Sequence, residues 1–106
     1  MDLNIAEIRY ETEEIRFRYA RYLSPDGSRW IRHGLFTEFH SNGQLASHGM
    51  YEDGLEEGSW QDFYETGQIA AEGTYSRGTE VGIWRYWNPN GIEEASENRD
   101  DIPLVE

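Results

Sequence analysis

Apolar and polar residues alternate with a period of two along much of the chain, in short segments. Residues 16–23 read Arg-Phe-Arg-Tyr-Ala-Arg-Tyr-Leu, and a turn sequence with Asp26-Gly27 follows them. Such alternation predicts half-buried strands, because successive side chains of a β-strand point to opposite faces. We therefore predict a strand over residues 16–23, a turn at Asp26-Gly27 and a second strand from Arg29 to His40. The chain as a whole is predicted to be all-β.

The rest of the chain repeats with a period of 24 residues. Glycine, aromatic and turn positions all recur at this spacing without a gap. The recurring sets are Gly34, Gly58 and Gly82; Phe36, Trp60 and Trp84; Phe39, Phe63 and Trp87; Gly49 and Gly73; Tyr51 and Tyr75; Gly54 and Gly78. A fixed period of this length is typical of repeat architectures, in which each unit is one small structural motif that packs on its neighbours.

Each unit is predicted to be a β-hairpin, turning at Asn42-Gly43, Thr66-Gly67 and Asn90-Gly91. Asn-Gly between alternating segments favours a two-residue type I′ turn, in which both central residues have positive φ. The register that follows from such a turn pairs Tyr64 with Ile69, Trp60 with Gly73, Gly58 with Tyr75, Phe36 with Gly49, and Gly34 with Tyr51.

These pairs suggest how the sheet is stabilised. A ring can lie flat over a glycine backbone, where any Cβ would collide with it, and it shields a residue that otherwise weakens a strand. The predicted structural core of the repeat consists of Gly34, Phe36, Gly49, Tyr51, Gly58, Trp60, Gly73, Tyr75, Gly82 and Trp84. The second aromatic set (Phe39, Phe63 and Trp87) follows the first by three residues, so we expect it on the opposite face of the sheet.

At both ends the pattern dissolves. We expect a single domain over residues 1–106, with an N-terminal cap or flexible segment at 1–13, in which residues 1–10 are either a short helical cap or disordered. A divergent first hairpin follows at 14–35, the repeats occupy 36–96, and a tail covers 97–106. The tail is expected to contact a sheet edge through Ile102, Leu104 and Val105.

The spacing Gly-x-Trp/Phe-x-x-Phe/Trp, followed by Asn-Gly-Gln-Leu/Ile and Gly-x-Tyr, resembles the MORN repeat in its bacterial variant form. The resemblance runs from about Gly34 to Gly91. It implies an elongated antiparallel β-meander of stacked hairpins with about seven or eight short strands. It also implies a non-catalytic repeat module. Small bacterial proteins of this repeat class are assigned as antitoxin or immunity partners of toxins, and this chain is similar to them in size and charge.

Composition agrees with a folded domain that does not bind polyanions. The 15 aromatic side chains supply a core that the few aliphatic residues cannot. With 21 acidic residues against 9 basic ones, the chain carries a formal charge of −12, which argues against direct binding of nucleic acid or anionic membranes. There is no cysteine. The apolar runs are too short for a transmembrane helix or a signal peptide, so a cytoplasmic protein is expected.

No arrangement of residues predicts catalysis, a metal site or a cofactor. On the predicted register His40 and His48 lie on opposite faces, and no carboxylate stands at ligand spacing beside them. Gly-x-Ser-x-Gly is absent, and so is a Gly-Lys-Ser/Thr phosphate loop. We therefore expect neither catalytic, metal nor cofactor residues.

The distribution of charge points instead to a basic protein partner. Residues 1–35 carry six Arg and six acids, so the whole net charge lies downstream. Acidic surfaces accelerate association with basic partners, and aromatic residues provide binding energy. The predicted contact residues are Glu52, Asp53, Glu56, Glu57, Phe39, Phe63, Trp87, Glu93 and Glu94. The hypothesis is that a monomer, or a weak dimer, neutralises a basic toxin or effector.

Two alternatives remain open at this point. The chain is either a generic MORN-repeat scaffold or adaptor, which includes a place in a membrane-associated complex, or a small carbohydrate-binding domain.

Overall fold

The computed structural model describes residues 2–100, and they form one antiparallel sheet of eight strands. The strands are β1 (Asn4–Arg9), β2 (Ile15–Leu23), β3 (Trp30–Phe39), β4 (Leu45–Glu52), β5 (Leu55–Phe63), β6 (Ile69–Ser76), β7 (Thr79–Tyr86) and β8 (Glu97–Asn98). Each strand pairs with the next one in sequence, from β1 at one edge to β8 at the other. The sheet is therefore a meander, as the repeat predicts.

The molecule is thin and elongated. Its extents are 48 × 37 × 19 Å and its radius of gyration is 16.3 Å, whereas a compact chain of this length has about 13 Å. Helices are absent from residues 2–100, so nothing regular covers either face of the sheet. It follows that no helix in this part of the chain is available to cross a membrane.

The hairpin registers follow the prediction except beside the turns. Trp60 pairs with Gly73, and Phe36 pairs with Gly49. The predicted pair of Tyr64 with Ile69 is wrong, because the register shifts by one residue and Ile69 pairs with Phe63.

Turn geometry explains this shift. The N–H of Tyr64 donates to the carbonyl of Gln68, and the N–H of Gly67 donates to the carbonyl of Tyr64. Of the pair Thr66-Gly67, only the glycine has positive φ. These features describe a three-residue loop that ends in a glycine bulge, so the predicted type I′ turn is wrong here.

Type I′ conformations occur at the other end of the strands, between the hairpins. Asp53 and Gly54 have φ of 49° and 89°, and Arg77 and Gly78 have φ of 51° and 83°. Each pair forms a two-residue link between adjacent strands. The Gly54 N–H also donates to the Arg32 carbonyl, so the link is tied to the preceding repeat.

The glycines at positions 34, 58 and 82 are required by the backbone conformation. Each has positive φ, and each lies where the pairing between neighbouring hairpins skips residues. Next to Gly58, for example, the register jumps between the pairs Met50–Glu57 and His48–Gln61. Glycine is favoured there because an L side chain strains the left-handed region.

Both ends of the described part of the chain take part in the sheet. Residues 4–9 form edge strand β1, so neither a helix nor a disordered segment describes them. The strand escapes the sequence pattern because only Ala6 is buried and the register shifts between Ile8 and Arg9. At the other edge, β8 pairs Glu97 with Trp84. The contacts predicted for Ile102, Leu104 and Val105 lie outside the described residues.

Candidate functional site

One face of the sheet carries a continuous row of rings, which we call the aromatic face. Its members are Tyr19, Phe36, Tyr51, Trp60, Tyr75 and Trp84. Successive rings from Phe36 onward contact each other with centroids 5.1 to 5.8 Å apart, mostly edge to face. Only Phe36, Trp60 and Trp84 are buried, and the tyrosines pack around them. The aromatic face is therefore the core of the protein and also its partly open surface.

Rings do lie over glycines, but in a different arrangement from the predicted one. A Cβ built on Gly73 would overlap the indole of Trp84, and one built on Gly49 would overlap the indole of Trp60. The ring of Trp60 thus covers a glycine of the preceding hairpin rather than Gly73, its own register partner. A Cβ at Gly58 would meet no atom within 4 Å, so the prediction that Gly58 lies under the ring of Tyr75, its register partner, is wrong.

The two buried tryptophans differ in one polar contact. The indole N–H of Trp60 donates to the carbonyl of Met50 at 3.1 Å. The buried indole nitrogen of Trp84 has no hydrogen-bond partner within residues 2–100.

On the opposite side, which we call the polar face, one row of polar side chains crosses seven strands. The row is Glu7, Arg18, Thr37, His48, Gln61, Glu72 and Arg85, and each pairs with the next across the sheet. His48 Nε2 contacts Gln61 Oε1 at 2.8 Å, and Gln61 Nε2 donates to Glu72 at 3.2 Å. Most donors and acceptors of this row are therefore used within the sheet.

The second aromatic set lies on the polar face, near the Asn-Gly turns. The ring of Phe63 lies 5.9 Å from His48, and the Arg85 guanidinium lies 5.5 Å from the Trp87 ring. The carbonyls of the set accept bonds from the neighbouring repeat: Tyr10 donates to Phe39, and Tyr64 donates to Trp87. These residues hold repeats together at the turns.

All three histidines have hydrogen-bonding partners within the sheet. His40 Nε2 donates to the Phe63 carbonyl at 2.8 Å, which is the same link that Tyr64 makes one repeat later. His33 Nδ1 accepts from the Asp53 N–H at 3.1 Å. Among residues 2–100, no three His, Cys, Asp or Glu side chains converge as metal ligands would.

The predicted contact residues do not form one patch. Glu52 and Asp53 lie at the link between β4 and β5, and Glu56 and Glu57 follow at the start of β5. Phe63 lies six residues further along the same strand, roughly 20 Å away.

The acidic side chains at the link between β4 and β5 also have different partners and do not all lie on one face. Asp53 accepts from the Tyr22 hydroxyl at 2.8 Å, which raises the pKa of Tyr22. Glu57 accepts from the Arg77 N–H at 2.7 Å. Glu56 instead lies opposite Tyr51, on the aromatic face.

Near Trp87 the structure does bring predicted residues together. Glu93 pairs with Trp87, and its carboxylate accepts two hydrogen bonds from Arg85, which lowers the pKa of Glu93. The Glu94 N–H donates to the Tyr86 carbonyl. Glu93 is therefore already engaged by a cation of the same chain.

Carboxylates also surround the rings of the aromatic face, and sequence reasoning missed two of them. Burial raises the pKa of Tyr75 to about 12, together with the negative charges of Glu80, Glu56 and Asp62. Glu80 lies opposite Tyr75, and Asp62 stands two residues from Trp60 on the same strand. Glu80 could have been predicted from the sequence, because it follows Glu56 by one 24-residue period.

Comparison with known families agrees with the repeat. The model of the MORN repeat variant matches residues 32–53 and again residues 56–77, segments that begin 24 residues apart. No curated protein matches the chain. Together with the stacked hairpins of the sheet, these two matches show that the chain contains MORN-type repeats.

Proposed function

We propose that this chain is a non-catalytic protein-binding module that binds a basic protein partner through its aromatic face. The observation that carries the proposal is the combination, on this face, of a partly open row of rings with two carboxylates, Glu56 and Asp62, that have no ion pair within residues 2–100. Large rings supply binding energy in interfaces, and complementary charge supplies steering and specificity.

Accessibility supports this choice of face. Tyr51 and Tyr75 are only half-buried, and within residues 2–100 no strand or helix covers them. Glu56 and Asp62 lie beside them and form no ion pair within this part of the chain. A partner with exposed Arg or Lys would gain both ring contacts and charge pairing here.

The polar face has fewer free side chains with which a partner could interact. Its central side chains bond to each other, and Trp87 is in contact with Arg85. A partner that bound there would have to replace hydrogen bonds that already exist, which returns little net free energy. Five of the nine predicted contact residues, Phe39, Phe63, Trp87, Glu93 and Glu94, therefore form the alternative surface that the experiment must distinguish from the aromatic face.

The narrower form of the proposal is an immunity or antitoxin role. A monomer in the cytoplasm would block a basic toxin by covering its surface, which requires tight binding and no chemistry. The charge of −12 and the small size suit such a role.

Affinity capture with the immobilised protein, followed by mass spectrometry, tests the proposal. We expect a protein of high isoelectric point, released by salt because the screening length falls from about 10 Å at 0.1 M to about 3 Å at 1 M. Two folded variants locate the surface: Tyr75→Ser on the aromatic face and Trp87→Ser on the polar face. The proposal expects only the first to lose the partner.

Several outcomes would contradict it. Loss of capture only with Trp87→Ser would move the interface to the polar face, and failure to retain any basic protein would remove the proposed function. The immunity role requires, in addition, that the captured protein arrest growth when expressed alone and fail to do so when co-expressed with this chain.

A further inference from the structure

The first unit of the aromatic face holds a cation of its own. The Arg32 guanidinium lies over three rings, at 5.0 Å from Tyr19, 5.6 Å from Phe36 and 5.4 Å from Tyr51. Distances of this size are those of cation–π contacts. An arginine placed on this row of rings is therefore an arrangement that the fold already accommodates.

The 24-residue period places an acid at the same position in the next two units. The residues equivalent to Arg32 are Glu56 and Glu80. Arg99 meets Glu80 at 3.0 Å and also donates to the Tyr86 hydroxyl, so the last unit is neutralised by a cation of the same chain. The first and last units thus each hold a guanidinium.

The middle unit has a cation only at Tyr51, the ring that it shares with Arg32 of the first unit. Its rings are Tyr51, Trp60 and Tyr75, and its carboxylate is Glu56, opposite Tyr51; we call these four residues the middle unit. The cation–π contacts of residues 2–100 include the one between Arg32 and Tyr51 but none to Trp60 or Tyr75. Edge-to-face contacts at 5.4 and 5.8 Å fix the two tyrosines on either side of Trp60.

We propose that the middle unit is the receptor for an arginine side chain of the partner, whose guanidinium lies over the half-buried ring of Tyr75, beside Trp60, and pairs with Glu56. This inference rests on the proposed function and specifies its chemistry. Arginine is favoured over lysine because a planar guanidinium stacks on rings and pairs with carboxylates in one geometry. Arg32 displays half of that arrangement one repeat away.

A peptide experiment tests the proposal without the natural partner. The probe is a short peptide in which arginine alternates with glycine, and its control contains citrulline, which has the same shape without the charge. We expect calorimetry to show saturable binding of the arginine peptide and much weaker binding of the citrulline peptide.

Three variants place the binding on the sheet. Glu56→Gln should weaken binding by about three- to fivefold, the range of a partly exposed ion pair. Glu65→Gln removes the same charge from a turn at the far end of β5 and should leave the affinity unchanged. Glu56→Arg should supply an internal guanidinium, as Arg32 does in the first unit, and weaken binding at least about tenfold.

A melting temperature close to that of the wild type establishes that each variant is folded. Equal weakening by Glu56→Gln and Glu65→Gln would mean that only net charge matters and would overturn the proposal. Equal affinity for the citrulline peptide, or no binding of the arginine peptide at millimolar concentration, would also overturn it.

The capture experiment separates this inference from the proposed function. If the Glu56→Arg variant retains the basic partner as well as the wild type does, the middle unit is not the receptor, while the binding module stands. If the wild type retains no basic protein, the proposed function fails. Loss of the partner with Glu56→Arg alone supports both.

Discussion

The two faces of the sheet are built from the same 24-residue period but use it differently. On the aromatic face the period places rings over glycines, so stability depends on a few large contacts. On the polar face the period places a hydrogen-bonded row of side chains, so stability there depends on many small contacts. A thin sheet that no helix of residues 2–100 covers is thus stabilised on one face, although part of that face stays exposed.

The largest expected effect separates the two faces directly. Trp60→Ala or Trp84→Ala should lower the free energy of unfolding by about 3–5 kcal/mol, the usual cost of deleting a buried aromatic side chain. Trp87→Ala on the polar face should cost clearly less, because Trp87 is only half-buried. Urea denaturation of the three variants measures the difference. Equal losses would contradict the distinction between the faces.

The second prediction contrasts the two glycine sets. Gly73→Val should cost about 3 kcal/mol, because its side chain collides with the indole of Trp84. Gly58→Ala should cost about 1–2 kcal/mol through its positive φ alone. Gly58→Asn should recover part of that loss, since asparagine tolerates the left-handed region.

Thermal unfolding of these glycine variants provides the check. If Gly73→Val had the melting temperature of the wild type, the packing of the Trp84 ring on Gly73 would not contribute to stability. If Gly58→Asn were as damaging as Gly58→Ala, a steric cause would have to replace the backbone one.

A smaller effect is expected from the polar row. Gln61→Ala removes the bonds to His48 and Glu72 and should cost about 1 kcal/mol, the net value typical of hydrogen bonds in proteins. Glu65→Ala, in an exposed turn, is the matched control and should leave the unfolding free energy nearly unchanged. A loss as large as that of Trp60→Ala would show that the polar face, too, depends on single contacts.

The smallest effect is a dependence on alkaline pH. The pKa of Tyr75 is raised from 10.0 to about 12, so the folded state keeps a proton that the unfolded state loses. The contribution of Tyr75 to stability is therefore constant below pH 10 and decreases as the pH rises from 10 to 12. Tyr75→Phe should remove this part of the decline, which unfolding experiments across that range can measure.

Tyrosinate absorbance follows the same group directly. Glu56→Gln should move the Tyr75 titration to lower pH, because it removes one of the negative charges that raise the pKa. An unchanged titration would place the Glu56 carboxylate away from the aromatic face.

Much of the fold was predictable because the period, the glycines and the rings act together. Pairs such as Trp60 with Gly73 follow from counting outward from the turn. Loop length was not predictable, since Thr66-Gly67 suits both a two-residue turn and a three-residue loop with a bulge. The loop has one residue more than predicted, and β6 has one extra residue, Ala70, between the pairs Phe63–Ile69 and Asp62–Ala71. The two shifts in register cancel, so the pairs far from the turn agree with the prediction.

The candidate site was less predictable, because the face of a side chain depends on bulges. The irregular pairing at Gly58 decides that Glu56 lies opposite Tyr51, and the sequence alone does not reveal that irregularity. For the same reason sequence reasoning grouped Glu56 with Glu57, although the two side chains have different neighbours. The ring of Trp60 reaches back over Gly49, a contact that register pairing does not specify.

The four tryptophans allow the proposed binding of a guanidinium by the middle unit of the aromatic face to be tested in one experiment. Trp60 and Trp84 lie on the aromatic face, Trp87 lies on the polar face, and Trp30 is exposed in the first hairpin. Titration with the arginine peptide, followed by NMR of the four indole N–H signals, should shift the Trp60 signal most and leave Trp87 and Trp30 unchanged. A shift centred on Trp87, or equal small shifts at all four signals, would contradict the account.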